Sequence, residues 1–113
     1  MFTTFETGNQ TYQLKFTTNA LCEFESRYQI AVLKALQDEK TVYYLRGLLW
    51  AGLLWKNSKL TTAEAGNIID DFFAEGKTFK ELLQIVQEAL KASGFFSTSG
   101  NEKKTAKQSG KTT

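Results

Sequence analysis

The chain has 113 residues, with 14 Lys and Arg against 12 Asp and Glu, no histidine, no proline, one cysteine and two tryptophans. A net charge of +2 is too small to draw the whole protein to nucleic acid or a membrane surface, and the lack of histidine removes the commonest proton-transfer group. The single Cys22 excludes an intramolecular disulfide, so the length fits one small domain held by packing in a reducing, intracellular compartment.

The charge is unevenly spread. From Ser97 onward Lys103, Lys104, Lys107 and Lys111 stand against Glu102, a net of +3 that leaves residues 1–96 at −1. The tail contains no large apolar residue, so nothing in it offsets the entropy of ordering. We therefore expect a mainly α fold of the α+β class: residues 1–96 form an N-terminal β-hairpin packed on a small bundle of four to five helices, and residues 97–113 form a disordered, lysine-bearing tail. Met1 to Glu6 carries neither the basic segment nor the apolar run of a secretory signal.

In chain order, Gly8-Asn9 is a two-residue turn whose flanks pair Phe5 with Tyr12 and Thr3 with Leu14. That register puts Met1, Phe5, Tyr12, Leu14 and Phe16 on one face and Thr4, Glu6, Thr11, Gln13 and Lys15 on the other, with only Phe2 on the polar side. Two strands alone are marginal in water, so helices must cover the apolar face. Thr18 or Asn19 then caps a helix whose stripe is Ala20, Leu21, Phe24 and Tyr28. A short helix over Ala31 to Glu39 groups Val32, Leu33 and Leu36.

Thr41 caps the segment Val42 to Trp55, which is apolar on nearly every face and must be surrounded by its own domain or by another chain. It is too short for the about 20 residues a membrane span requires, and Arg46 interrupts it. Gly47, Ala51 and Gly52 allow close approach of a neighbour, at a cost of about 1 kcal/mol of helix propensity per glycine. Two capping boxes follow, Thr61-x-x-Glu64 and Thr78-x-x-Glu81. The first opens a helix with the stripe Ala65, Ile68, Ile69, Phe72 and Phe73, ended by Gly76. The second opens one with Phe79, Leu82, Leu83, Val86 and Leu90, ended by Gly94.

Chemistry-bearing patterns are sparse. Cys22 has no base to form its thiolate, its neighbours Glu23 and Glu25 disfavour that anion, and it is read as an inert packing residue on the edge of its helix. Asp70 and Asp71 point about 100° apart on a helix and read as a solvated face. No glycine-rich phosphate loop, serine elbow or zinc-spaced cysteine pair occurs. An enzyme is not expected, nor is a catalytic residue, a metal or a cofactor. Four tail lysines without interleaved aromatics give at most weak, non-specific attraction to nucleic acid. What stands out is aromatic surface: Tyr44, Trp50, Trp55, Phe73, Phe95 and Phe96 are the candidate partner-binding residues, with Trp55 the most open.

The order of elements resembles the tail assembly chaperones of long-tailed bacteriophages with non-contractile tails. The residues that carry the resemblance are Tyr12-x-Leu14-x-Phe16, Leu21-x-x-Phe24-Glu25, Leu48-Leu49-Trp50-Ala51-Gly52-Leu53, Leu60-Thr61-x-x-Glu64, and Leu82-Leu83 through Ala89-Leu90. It implies a protein that binds the tape measure protein, keeps it soluble and helps recruit tail tube subunits, working in the cytoplasm of the infected bacterial host and absent from the finished virion. It also implies a longer product made by ribosomal frameshifting, for which Lys103-Lys104 is a compatible junction. The apolar helix permits self-association. Two other classes compete: a structural particle component, such as a head-to-tail connector or tail completion protein, and a nucleic-acid-binding regulator acting through the lysine tail.

Overall fold

Gly8 and Asn9 both adopt left-handed backbone, with φ of 59° and 63°, the conformation of a two-residue turn that matches the twist of a hairpin. The computed structural model describes residues 2–38 and 42–95. Around the turn, β1 (Thr3–Thr7) and β2 (Gln10–Leu14) run antiparallel, with Thr3 opposite Leu14 and Phe5 opposite Tyr12, the register expected from the pattern. Phe5, Leu14 and Phe16 are buried and Tyr12 is half-buried. Thr7 joins them on the same face. Met1, Glu39, Lys40, Thr41, Phe96 and residues 97–113 lie outside the described residues, so the hairpin position of Met1, the Thr41 cap and the tail find no counterpart here.

Five helices follow the hairpin, α1 (Thr18–Tyr28), α2 (Val32–Gln37), α3 (Val42–Leu53), α4 (Thr62–Ala74) and α5 (Phe79–Ala92), and the hairpin packs on α3, α4 and α5. The first helix differs from expectation at its start. Thr17 rather than Thr18 or Asn19 is the cap, its hydroxyl accepting from the Ala20 N–H at 3.1 Å; of three capping-competent residues in a row, the first to follow the extended strand takes the role. Gln29 closes α1 in a left-handed conformation, and its N–H donates to the Glu25 carbonyl.

The second helix is shorter than Ala31 to Glu39, and Leu33 is corrected from core to surface: it is 55% exposed, while Val32, Ala35 and Leu36 are buried. Helical geometry explains this, because Leu33 stands about 100° from Val32 whereas positions 35 and 36 return to its side. A six-residue helix depends on its neighbours. The Glu25 carboxylate supplies one tie by accepting the Val32 N–H at 2.9 Å.

The apolar α3 is enclosed by its own domain, with β2, α1, α4 and α5 all packed against it. Leu45 and every residue from Gly47 to Leu53 are buried. Two glycines make this possible. A Cβ at Gly47 would stand 2.5 Å from the Tyr28 ring of α1, and one at Gly52 would stand 2.9 Å from Leu14 Cδ2 of β2. The strand approaches closely enough for the Lys15 N–H to donate to the Gly52 carbonyl at 2.9 Å.

Both capping boxes form, Thr61 with Glu64 and Thr78 with Glu81. In α4 the buried stripe is Ala65, Ile68, Ile69 and Phe72; Phe73 falls at its edge and is 38% exposed, a correction to its place among the core residues. In α5 Leu82, Leu83, Val86, Ala89 and Leu90 are buried and Phe79 is half-buried. Among the described residues no helix is long and apolar enough to cross a membrane.

Candidate functional site

The two tryptophans of the chain meet at one surface. Between the start of α1 and the segment after α3 lies an open hollow of about 280 Å³, with Trp50, Leu54 and Trp55 on one side and Thr17, Ala20 and Glu23 on the other. Trp50 is only 7% exposed, and its indole N–H donates to the Leu60 carbonyl at 2.8 Å. As a partner anchor it is therefore corrected to a core residue that offers one edge to the hollow. Trp55 is half-buried; its indole N–H donates to the Gln13 carbonyl at 2.8 Å, and Phe2 stacks on it with ring centroids 5.9 Å apart. The stacking accounts for Phe2, the one apolar residue on the polar face of the hairpin.

Cations lie over these rings. Lys15 Nζ is 5.4 Å and Lys56 Nζ 5.7 Å from the Trp55 ring centre, and the Arg27 guanidinium is 5.1 Å from that of Trp50. One to two turns back along α3, the Arg46 guanidinium lies 6.0 Å from the Tyr43 ring. Each pairing sets a positive group against the negative face of an aromatic ring. None of the four cations forms an ion pair among the described residues. Arg46 Nε is buried there with no hydrogen-bond partner, and the Arg46 stem packs where a side chain on Gly66 would stand.

Tyr28, Tyr43 and Tyr44 cluster beside Arg46, with ring centroids 4.7 Å apart for Tyr28 and Tyr43 and 6.2 Å for Tyr28 and Tyr44. Burial pushes the Tyr28 phenol up, and the adjacent Arg46 works against that rise. Tyr28 therefore stays a neutral phenol near neutral pH. The surface formed by α1 and α3 thus runs from the exposed Phe2 past Trp55 and Trp50 to the exposed Tyr43.

Of the sequence candidates, the structure brings Trp50 and Trp55 together and puts the half-buried Tyr44 in the tyrosine cluster at the start of α3. Phe73 sits on α4 against Phe72, and Phe95 is half-buried just past α5 with its N–H donating to the Leu90 carbonyl. Neither lines the hollow. Phe96 lies outside the described residues. The cations were missed as site residues. Arg46 was legible, since Tyr43 and Trp50 stand three and four positions from it on one helix. Arg27 was not, because only the packing of α1 on α3 brings it to Trp50.

Elsewhere, Thr7 Oγ1 is buried on the core face of the hairpin without a hydrogen-bond partner among the described residues. Cys22 is exposed on α1, which corrects its reading as a packing residue. Asp70 and Asp71 are exposed, and Asp71 faces the hairpin turn at Gly8. Burial, and to a smaller extent Asp71, push the Tyr12 phenol up. Among the described residues no three or more His, Cys, Asp or Glu side chains gather in a way that would hold a metal ion. The chain is thus a helical domain with an N-terminal hairpin and an aromatic, cation-bearing edge. It matches no family model, no curated protein and no solved structure.

Proposed function

We propose that this protein is a tail assembly chaperone of the kind made by long-tailed phages with non-contractile tails. In this reading it is a non-enzymatic binding protein that takes up the tape measure protein, keeps it soluble and helps bring tail tube subunits to it. It acts in the cytoplasm of the infected bacterium and leaves before the virion is complete. The support is the resemblance of the residues quoted above, joined to one observation: an aromatic hollow bordered by cations that form no ion pair among the described residues. Such a surface suits the reversible capture of an extended, aggregation-prone client, because aromatic and arginine side chains are the usual anchors of protein interfaces.

The test is co-expression with the product of the very long, coiled-coil-rich gene that this reading expects beside it. A rise in that product's soluble yield together with co-purification is the expected outcome. Unchanged solubility without co-purification overturns the proposal. Mass spectrometry of purified particles adds a second check, since stoichiometric presence in the virion would make the protein a structural component instead.

A further inference from the structure

The α1–α3 edge has a pitch and a charge that define its occupant. Along α3, Tyr43, Arg46 and Trp50 follow one another at intervals of three or four residues, hence about one helical turn, or roughly 5–6 Å, apart, and Leu54 continues the row just past the helix end. The Arg27 guanidinium lies over Trp50 and that of Arg46 over Tyr43, so the two arginines of the chain both sit on this strip. Neither is ion-paired among the described residues, and one guanidinium nitrogen of Arg46 is buried without an acceptor. Lys15 and Lys56 extend the positive border to Trp55. Glu23 is the carboxylate that lines the hollow.

We infer that this strip docks an acidic amphipathic helix of a partner protein, lying across the α1–α3 edge where Arg27 and Tyr43 are exposed. Its carboxylates face Arg27 and Arg46, and an apolar side chain enters the hollow between Trp50 and Trp55. The charge is complementary: guanidinium groups take carboxylates through two parallel hydrogen bonds, and cations already held over rings lose little freedom on pairing. The pitch is complementary too, because a helix repeats its side chains on one face at the same interval as α3. Single-stranded nucleic acid fits less well. The rings that would stack on bases carry the chain's own cations, and residues 1–96 have a net charge of −1.

This inference rests on the reading of the protein as a client-binding chaperone, and it specifies the segment of the client that is held. The test uses the full chain and a designed 18-residue helix-forming peptide with leucine on one face and glutamate flanking it, beside an isomer with lysine in place of each glutamate. Trp50 and Trp55 are the two tryptophans of the chain, so tryptophan emission, excited where tyrosine does not absorb, reads this site. The acidic peptide is expected to shift the emission and to bind at least tenfold more tightly than the lysine isomer. Arg27→Glu, an exposed position, is expected to weaken it at least tenfold while the circular dichroism spectrum remains that of the folded helical protein, whereas Lys77→Glu at the hairpin turn leaves it unaltered.

Equal affinity for the two isomers overturns the inference, as does an Arg27→Glu protein that binds like the parent. Tighter binding of a 20-nucleotide single strand reassigns the strip to nucleic acid, and self-association abolished by Arg27→Glu reassigns it to a second copy; both overturn it. The two proposals fail separately. A tape measure protein that co-purifies equally with the parent and Arg27→Glu leaves the chaperone and removes the strip. Discriminating peptide binding without any co-purification leaves the strip and removes the chaperone.

Discussion

The hairpin turn and the α1–α3 edge are both rich in polar groups near the surface, but their charges are settled differently. At the turn the Gly8 N–H donates to Glu75 Oε2 at 2.6 Å, while Lys77 Nζ donates to the Glu6 carbonyl at 2.8 Å and pairs with Glu75 Oε1 at 3.1 Å. These groups close on one another and fasten β1 to the loop between α4 and α5. Along the α1–α3 edge four cations rest on rings and find no carboxylate among the described residues. The difference lies in the ion pair and not in the ring: Lys77 also stands 5.2 Å from the Phe72 ring centre but is paired with Glu75, whereas the edge cations form no ion pair among the described residues, Lys56 donating instead to the Gln13 side-chain carbonyl at 2.9 Å.

The sharpest way to break this contrast is at the edge itself, where two tryptophans occupy one hollow with different burial. Trp50→Ala is expected to cost about 3–5 kcal/mol in a urea titration, the range for emptying a buried aromatic site. Trp55→Ala, at a half-buried ring, is expected to cost clearly less while weakening peptide affinity more, as read by calorimetry. Equal losses of stability would mean that Trp55 is as much a core residue as Trp50. Next in size is Gly47→Ala. The new methyl meets the Tyr28 ring at 2.5 Å, so overpacking of about 1–3 kcal/mol outweighs the roughly 1 kcal/mol of helix propensity that alanine adds. A neutral or stabilising result would show that Tyr28 can move aside, and that the edge is less firmly built than its contacts suggest. At the opposite end, Thr78→Ala removes the cap that starts α5 beside Lys77 and is expected to cost about 1 kcal/mol by the same titration.

These expectations depend on how much of the molecule its pattern discloses. The hairpin register was legible because Gly8-Asn9 fixes the turn and alternation then admits one pairing. Both capping boxes were legible because the signal is local to four residues. Leu33 and Phe73 were misassigned for a shared reason: a stripe read by type includes apolar residues at its edge, and only packing decides which edge is covered. The site was half legible. Trp50 and Trp55 stand out by type, yet the sequence does not state that one is sealed by Leu60 and the other held to the strand by Gln13. Lys15 and Arg27 reach the tryptophans through contacts between distant parts of the chain, which no periodicity records. The exposed Phe2 looked like an exception to the hairpin pattern until its ring had a place against Trp55.

The smallest expected effect lies in the latch at the hairpin turn, and it is read through pH. The hydrogen bond from the Gly8 N–H, followed by that from Lys77, holds the Glu75 carboxyl below its ordinary value of 4.5. Folding therefore favours the ionised form, so the contribution of Glu75 to stability is fully present above the unfolded value and is lost as pH falls through the lower folded value. Glu75→Gln keeps the shape and removes the charge. The stability gap between parent and variant, measured by chemical denaturation, is expected to be widest near pH 6 and to narrow toward pH 3. Added salt should trim the part due to Lys77, which is solvent-exposed, and spare the part due to the backbone N–H of Gly8. A gap that stayed constant with pH would mean that the turn is held by its own left-handed backbone and by the packing of Gly8 against Asp71, with the latch contributing nothing.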